Sequence, residues 1–374
     1  MSIVPTVQDA VRRVADAHTR APERPGLFCE LSTALQQVVP FDAAAWFATD
    51  PLTLLPTAPT HVENLAPEGW PTYWDAEFND QDVLLFQDLA RSSVTSDSLH
   101  RATDRNPERS PRYRARLTAA GFGDELRAVF RAGTAVWGVV NLLRRTSRPE
   151  FSSADCAVVQ AAGPPIAAAL RAKVARTQPV PPNCLGLGTA LFSRAGTLVS
   201  LDAVASAWFQ EFAGRDGIAS GRPQGMTAVA AVVARANAVG NGRARGPSVT
   251  RLRTESGRWT VLSASPSRTP QGERGLTSLV IDRARPSQMA DLLIEAYCLT
   301  SREREIVQAI AHGYSNDEIG RRLQLSTHTV RDHLSSVFDK VRVSTRGELA
   351  AQLFTEQVFT EQVSTEHATA PPTV

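Results

Sequence analysis

Three hydroxyl residues, each followed three positions later by glutamate, constrain this chain more than any other feature. They are Thr300 with Glu303, Ser315 with Glu318, and Thr345 with Glu348. In such a pair the hydroxyl accepts from the amide three residues on, and the carboxylate accepts from the amide of the hydroxyl residue. Each pair therefore marks a helix start. Ser326 supplies a fourth N-cap without the glutamate. The spacing predicts four short helices, over 301–312, 316–323, 327–341 and 346–356, with Gly313 just past the first, where a left-handed residue is needed. Ile306, Val307 and Ile310 form one apolar stripe, Ile319 and Leu323 a second, and Val330, Leu334, Val337, Phe338 and Val341 a third. Burying the third stripe turns His328, Arg331, Asp332 and Ser335 to the other side. Three short helices around one small core, the last two joined through Gln324-Leu325-Ser326, make a helix-turn-helix arrangement.

The same residues carry a resemblance. Leu299-Thr300-Ser301-Arg302-Glu303-Arg304-Glu305-Ile306-Val307, Gly313-Tyr314-Ser315-Asn316-Asp317-Glu318-Ile319-Gly320, Leu325-Ser326-Thr327-His328-Thr329-Val330-Arg331-Asp332-His333 and Lys340-Val341-Arg342-Val343-Ser344-Thr345-Arg346 resemble the DNA-binding domain of LuxR-type transcriptional regulators. Gly320 departs from the family, which usually has Ala there. The resemblance implies double-stranded DNA as partner, with the third helix in the major groove. It directs Arg331, Asp332, Ser335 and Ser336 to base edges; Arg331 suits guanine O6/N7 and Asp332 suits cytosine N4. Asn316, Thr327, Thr329, Lys340 and Arg346 are implied to hold phosphates, which position the protein without reading sequence. Glu303, Val307 and Gly313 match structural positions, with Glu303 holding the bundle together. The resemblance further implies a homodimer through the last helix, around Leu349, Ala350, Leu353 and Phe354, and hence a palindromic operator, with RNA polymerase as a further candidate partner.

Charge alone does not announce such a partner. The 374 residues hold 40 basic and 38 acidic side chains. Residues 299–354 hold eight Arg or Lys against seven Asp or Glu, a net +1, so tight non-specific binding by one copy is not expected. Only Lys173 and Lys340 are lysines, a bias that fits a high-GC genome and says nothing about binding.

The preceding residues read as two mixed α/β modules. Helical spacing covers 8–20 and 27–39, an apolar strand runs from Phe41 to Ala48, and a polar, Pro-rich stretch follows. Strands at 124–131 and 135–144 form a hairpin around Ala132-Gly133-Thr134. A long helix over 152–175 is interrupted by Gly163-Pro164-Pro165, which should kink or break it. Pro179, Pro181 and Pro182 mark a stiff linker. A second module then reads β-β-α-α-β-β-β: strands at 189–192 and 197–200, helices at 202–213 and 226–239, and strands at 248–254, 258–264 and 276–283. Residues 8–175 resemble a GAF-like domain through the 126–144 hairpin and the closing helix, and residues 185–283 resemble a PAS-like domain. The expected architecture is multidomain α+β. It comprises two antiparallel-sheet sensor-like domains (GAF-like 1–176 and PAS-like 184–285), a linker helix 286–298, an all-α four-helix helix-turn-helix domain 299–356, and a frayed or disordered tail 357–374 built on a degraded five-residue repeat.

A small-molecule effector is expected in the N-terminal modules. Trp70-Pro71-Thr72-Tyr73-Trp74, with Phe78 and Asp82, is loosely similar to the pattern by which autoinducer-binding domains grip acyl-homoserine lactones, although Val83 stands where Pro would be expected. Trp46, Trp70, Tyr73, Trp74 and Asp82 are the candidate pocket, Trp137 a further candidate, and Trp208 and Trp259 read as core. The basic turn from Gly240 to Gly246 reads as a flexible surface loop. No Gly-x-Ser-x-Gly, His-Glu-x-x-His or phosphate-binding Gly-Lys-Ser/Thr loop is present, and His328 and His333 are spaced wrongly for chelation. An enzyme, a cofactor and a metal are therefore not expected. Cys29, Cys156, Cys184 and Cys298 form no Cys-x-x-Cys pair and fit a reducing compartment. No apolar run reaches membrane-spanning length and the start lacks a signal-peptide pattern, so a cytoplasmic regulator without a membrane partner is expected. The alternative is a sensor or interaction protein whose helical domain serves dimerisation instead of sequence-specific DNA binding.

Overall fold

A computed structural model describes residues 7–65, 70–175, 185–213, 224–254 and 256–354. The Pro-rich linker at 177–183, Cys184 and the repeated tail lie outside the described residues. The chain divides into two compact units, Met1–Arg283 and Ala284–Val374.

The first unit is mixed α+β with two five-stranded antiparallel sheets. Its first part runs α1 (Val7–Arg20), α2 (Leu27–Gln36), β1 (Ala43–Thr49), β2 (Pro56–Glu63), α3 (Trp70–Asn79), α4 (Phe86–Arg91), β3 (Ser96–Ser98), α5 (Leu99–Ala102), β4 (Phe122–Ala132), β5 (Ala135–Arg145) and α6 (Ser153–Ala175). The sheet order is β2-β1-β5-β4-β3. The second part runs β6 (Gly188–Phe192), β7 (Leu198–Leu201), α7 (Ala203–Ala213), α8 (Gln224–Gly240), β8 (Val249–Arg253), β9 (Trp259–Arg268) and β10 (Arg274–Arg283), in the order β7-β6-β10-β9-β8.

Two elements differ from expectation. The Pro-rich stretch after β1 contains the strand β2, which carries Pro56 and Pro59. Proline cannot donate to a ladder, but β2 is an edge strand with one side unpaired, where that loss costs little. The helix α6 runs unbroken through Pro164 and Pro165. Interior proline costs a helix roughly 3 kcal/mol. Here Val159, Ala162, Ile166, Ala167 and Leu170 are buried on both sides of the prolines, and that packing outweighs the lost hydrogen bonds.

The two sheets share one apolar core. Phe47, Trp74, Phe86, Val129 and Val139 from the first part belong to the same buried cluster as Trp208, Val232, Ala236, Leu262 and Ile281 from the second. The edge strands β2 and β8 are bonded as well: Thr250 Oγ1 donates to the Pro56 carbonyl at 3.2 Å, and Thr57 Oγ1 donates to the Arg251 carbonyl. The basic turn after α8 is also tied down, because Arg243 Nη1 donates to the Asn79 carbonyl at 2.8 Å. Its residues are mostly exposed, as expected of a surface loop.

The second unit is helical: α9 (Pro286–Ala296), α10 (Ser301–Ala311), α11 (Asn316–Leu323), α12 (Thr327–Val341) and α13 (Arg346–Phe354). Among the described residues no helix is long and apolar enough to cross a membrane.

Candidate nucleic-acid interface

The helix starts of the second unit are built as their spacing dictates, with one exception. Thr300 Oγ1 accepts from the Glu303 amide at 3.3 Å, and Glu303 Oε2 accepts from the Thr300 amide at 2.7 Å. Ser315 and Glu318 repeat the exchange at 3.4 and 2.7 Å. At the third box Thr345 Oγ1 accepts from the Glu348 amide, but the Glu348 carboxylate reaches one residue further back, to the Ser344 amide. Ser326 Oγ accepts from the Thr329 amide at 3.0 Å and starts α12. Gln324, at φ 56°, makes the turn between α11 and α12 left-handed. Gly313, at φ 80°, ends the run after α10. A Cβ on Gly320 would lie 2.8 Å from the Leu325 carbonyl oxygen, so the turn crosses α11 with almost no room.

Val330, Leu334, Val337 and Val341 bury one face of α12. The other face carries Arg331, Asp332 and Ser335, all exposed. Arg331 and Ser335 make no hydrogen bond or ion pair with a described residue. Asp332 Oδ2 lies 2.9 Å from His328 Nδ1, one turn earlier. His328 was not among the expected site residues, although its spacing of four from Asp332 signals the pair.

The remaining expected contact residues already have partners. Ser336 Oγ donates to Glu303 Oε1 at 2.7 Å, and Lys340 Nζ donates to both Glu303 oxygens at 2.6 and 2.7 Å. Glu303 is buried. Burial opposes its charge, but bonds from Lys340, the Thr300 amide and Ser336 outweigh it and hold the carboxyl at about 2. Thr327 Oγ1 donates to Asp317 Oδ1 at 2.7 Å, and the Thr329 hydroxyl lies 2.8 Å from Ser326 Oγ. Arg346 donates to Asn316 Oδ1 at 3.3 Å and to the Tyr314 carbonyl. Asn316 and Arg346 therefore form one cluster at the start of α11.

The last helix corrects one expectation. Leu349 and Leu353 are buried, because α9 and α10 pack on that face of α13 and Gln352 Nε2 donates to the Tyr297 hydroxyl at 2.7 Å. These leucines are core, not an exposed seam between copies.

The candidate ligand residues of the first unit do not converge. Trp46 and Phe47 are neighbours on β1, so their side chains leave opposite faces of the sheet. Trp46 packs on Phe28 and Phe130 with ring centroids 5.7 and 5.8 Å away, and its Nε1 donates to Ser32. Tyr73 and Trp74 pack instead with Phe47, 6.2 and 5.2 Å away. The Trp70 side chain lies outside the described residues. Asp82 is tied inward: its Oδ2 accepts from Ser110 Oγ at 3.0 Å and the Arg112 amide at 2.9 Å. Beside it Arg112 pairs with Glu125 at 2.7 Å and Arg127 with Glu77 at 2.6 Å, all four buried. Burial pushes the Tyr73 hydroxyl up to about 12 against the pull of Arg127.

Together, the capped helices, the left-handed turn and the exposed face of α12 define a helix-turn-helix DNA-binding domain. Residues 297–353 match the family described as bacterial regulatory proteins, luxR family, so the C-terminal domain is of LuxR type. YhjB of Escherichia coli, named as an HTH-type transcriptional regulator, is 46% identical over 55 residues, covering 15% of this chain and 28% of that protein. The transcriptional regulatory protein DesR of Bacillus subtilis is 38% identical over 63 residues, covering 17% and 32%. This chain thus spans less than a third of the length of either relative. A crystal structure of Escherichia coli SdiA is 13% identical, with 91% of this chain and 96% of that one covered at a TM-score of 0.31, too low to establish a shared fold.

Proposed function

We propose that the chain is a transcription regulator that reads a palindromic duplex site as a homodimer, with its activity set by a signal received in the first unit. The observation that carries this reading is the division of α12. One face is apolar and buried, and the other presents Arg331, Asp332 and Ser335 to solvent without a structural need for an arginine there. On this reading Arg331 and Asp332 contact base edges, Ser335 and Ser336 complete the reading face, and Asn316, Thr327, Thr329, Lys340 and Arg346 lie along phosphates. Lys340 and Ser336 also hold Glu303, so their DNA contacts share atoms with the bundle's internal support. Contact between copies uses surfaces other than the buried leucines of α13. We read residues 1–176 and 184–285 as GAF-like and PAS-like sensor modules, and the protein as cytoplasmic, since it must share a compartment with the chromosome. A signal in the first unit shifts a pre-existing balance between DNA-competent and incompetent arrangements.

The test is selection of genomic duplex fragments by the full chain at two salt concentrations, followed by sequencing. Enrichment of a palindrome that persists at higher salt, and is lost with Arg331→Ala, supports the reading. Unselective retention that collapses with salt indicates phosphate contacts alone. Binding indifferent to Arg331, Ser335 and Lys340 removes α12 as the reading helix.

A further inference from the structure

A cavity of about 430 Å³ lies in the first unit, where the end of α6 and the α1–α2 turn meet the β8–β9 hairpin. Its size is within the range of small-molecule sites, roughly 300–1,000 Å³. Trp137, Leu170 and Leu27 supply an apolar wall. The polar side carries Lys173, Arg253, the Trp259 indole and three threonines, with the exposed carboxylate of Glu23 also on the lining. Lys173 and Arg253 both line the cavity, and neither has a carboxylate within ion-pair distance among the described residues. Lys173 Nζ donates to the Pro22 and Arg24 carbonyls at 2.6 and 2.7 Å, which leaves one of its three N–H groups. Arg253 spends only Nε, on the Gly257 carbonyl at 3.1 Å, which leaves its terminal nitrogens. Trp259, expected as core, lines the cavity instead, and among the described residues its buried indole N–H has no acceptor. Of the cavity's three threonine hydroxyls, Thr49 donates to the Val136 carbonyl and Thr57 to the Arg251 carbonyl, while Thr254 accepts from the Arg258 amide at 3.1 Å and shares a hydrogen bond with Ser256 Oγ at 2.9 Å.

Burial lowers the proton affinity of both cations, and Arg253 lowers that of Lys173 further. Glu23, exposed at the rim, offsets this least of the three influences on Lys173. Two half-buried positive charges on one cavity, beside an unsatisfied N–H and an apolar wall, suit an anion.

We propose that this cavity binds a small organic carboxylate with a flat apolar body, its carboxylate between Lys173 and Arg253 and its body against Trp137. Bidentate arginine–carboxylate geometry gives such a contact its specificity. Because the wall comes from β5 and α6 while Arg253 and Trp259 come from β8 and β9, the bound molecule joins the two sheets of the unit. The site is separate from the Tyr73–Trp74 cluster and does not depend on how the C-terminal domain reads DNA.

The experiment uses the full chain with 2-naphthoate as probe and 2-naphthamide as its neutral counterpart, followed by calorimetry and tryptophan fluorescence. The expected result is saturable binding of the acid about tenfold tighter than the amide, with quenching from Trp137 and Trp259. Arg253→Gln removes that preference, and Arg253→Lys retains it. Among the described residues the Arg253 side chain makes a single hydrogen bond, so both variants are expected to keep the wild-type melting temperature without ligand. Equal affinity for acid and amide, undiminished acid binding by Arg253→Gln, or no saturable binding of the acid would each overturn the proposal.

Discussion

Arg251, on the edge strand β8, places its Nη1 2.8 Å from Oδ2 of Asp50, which follows β1 in the other sheet, and the Asp50 side chain is wholly buried. The same carboxylate accepts from the Arg251 amide at 3.1 Å and, through Oδ1, from the Leu52 amide at 3.0 Å. One aspartate therefore turns its own loop and locks the two sheets together.

Breaking this pair from the arginine side should leave a buried charge without its counter-ion. Arg251→Met is expected to cost the first unit about 3 kcal/mol in urea unfolding. An Asp50→Asn/Arg251→Met double variant should lose less than the two single losses combined, since no lone charge remains. Additive losses would show that the pair is not coupled.

The Glu303–Lys340 contact carries a pH signature. The Glu303 carboxyl falls from its ordinary 4.5 to about 2 on folding. A depressed folded value means the contribution is complete above the unfolded value and is lost as pH falls towards the folded one. The C-terminal unit should therefore lose stability between about pH 5 and pH 2, and Glu303→Gln should flatten this dependence while weakening the unit at pH 7. An unchanged acid limb in the variant would place the titration elsewhere.

Arg331→Ala is expected to leave the melting temperature unchanged, since its side chain is exposed and unbonded. Discrimination between specific and altered duplex should fall by about 1–3 kcal/mol at one base pair per half-site. A uniform loss across all sequences, with a shallower salt slope, would make Arg331 a phosphate contact.

Gly320→Val should destabilise the C-terminal unit by about 2 kcal/mol, because its first added carbon meets the Leu325 carbonyl at 2.8 Å and the turn backbone must move. Thermal unfolding measures this directly. A neutral result would mean that the turn between α11 and α12 yields easily.

Alkylation of the native protein at pH 8 should modify Cys29 and Cys298, which are exposed, well before Cys156. Burial, reinforced by Asp97, pushes the Cys156 thiol up to about 11, so little thiolate is available. Mass spectrometry of the labelled peptides reads the order, and early labelling of Cys156 would mean that α6 opens.

The helix-turn-helix unit was legible residue by residue because its signals are local. Thr300, Ser315 and Ser326 act on amides three positions away, and the apolar period of α12 names its buried face without a partner in view. Most strands and helices of the first unit were legible for the same reason. The edge strand β2 and the unbroken α6 were not, because each depends on what lies beside it: an unpaired edge that tolerates proline, and a packed face that outweighs it.

The sequence by itself determined where the helices of the last unit begin and which face of α12 is apolar, since those rest on periodicity and capping within a few residues, and the resemblance of its quoted segments pointed to the family of that domain. Only the tertiary structure decided that Leu349 and Leu353 are core, that Trp46 and Trp74 lie on opposite faces of one sheet, and that Lys173 meets Arg253 in a cavity. Each of those depends on contacts between residues far apart in the chain, and the pattern of neighbours along the backbone does not encode which distant surface will cover a given side chain.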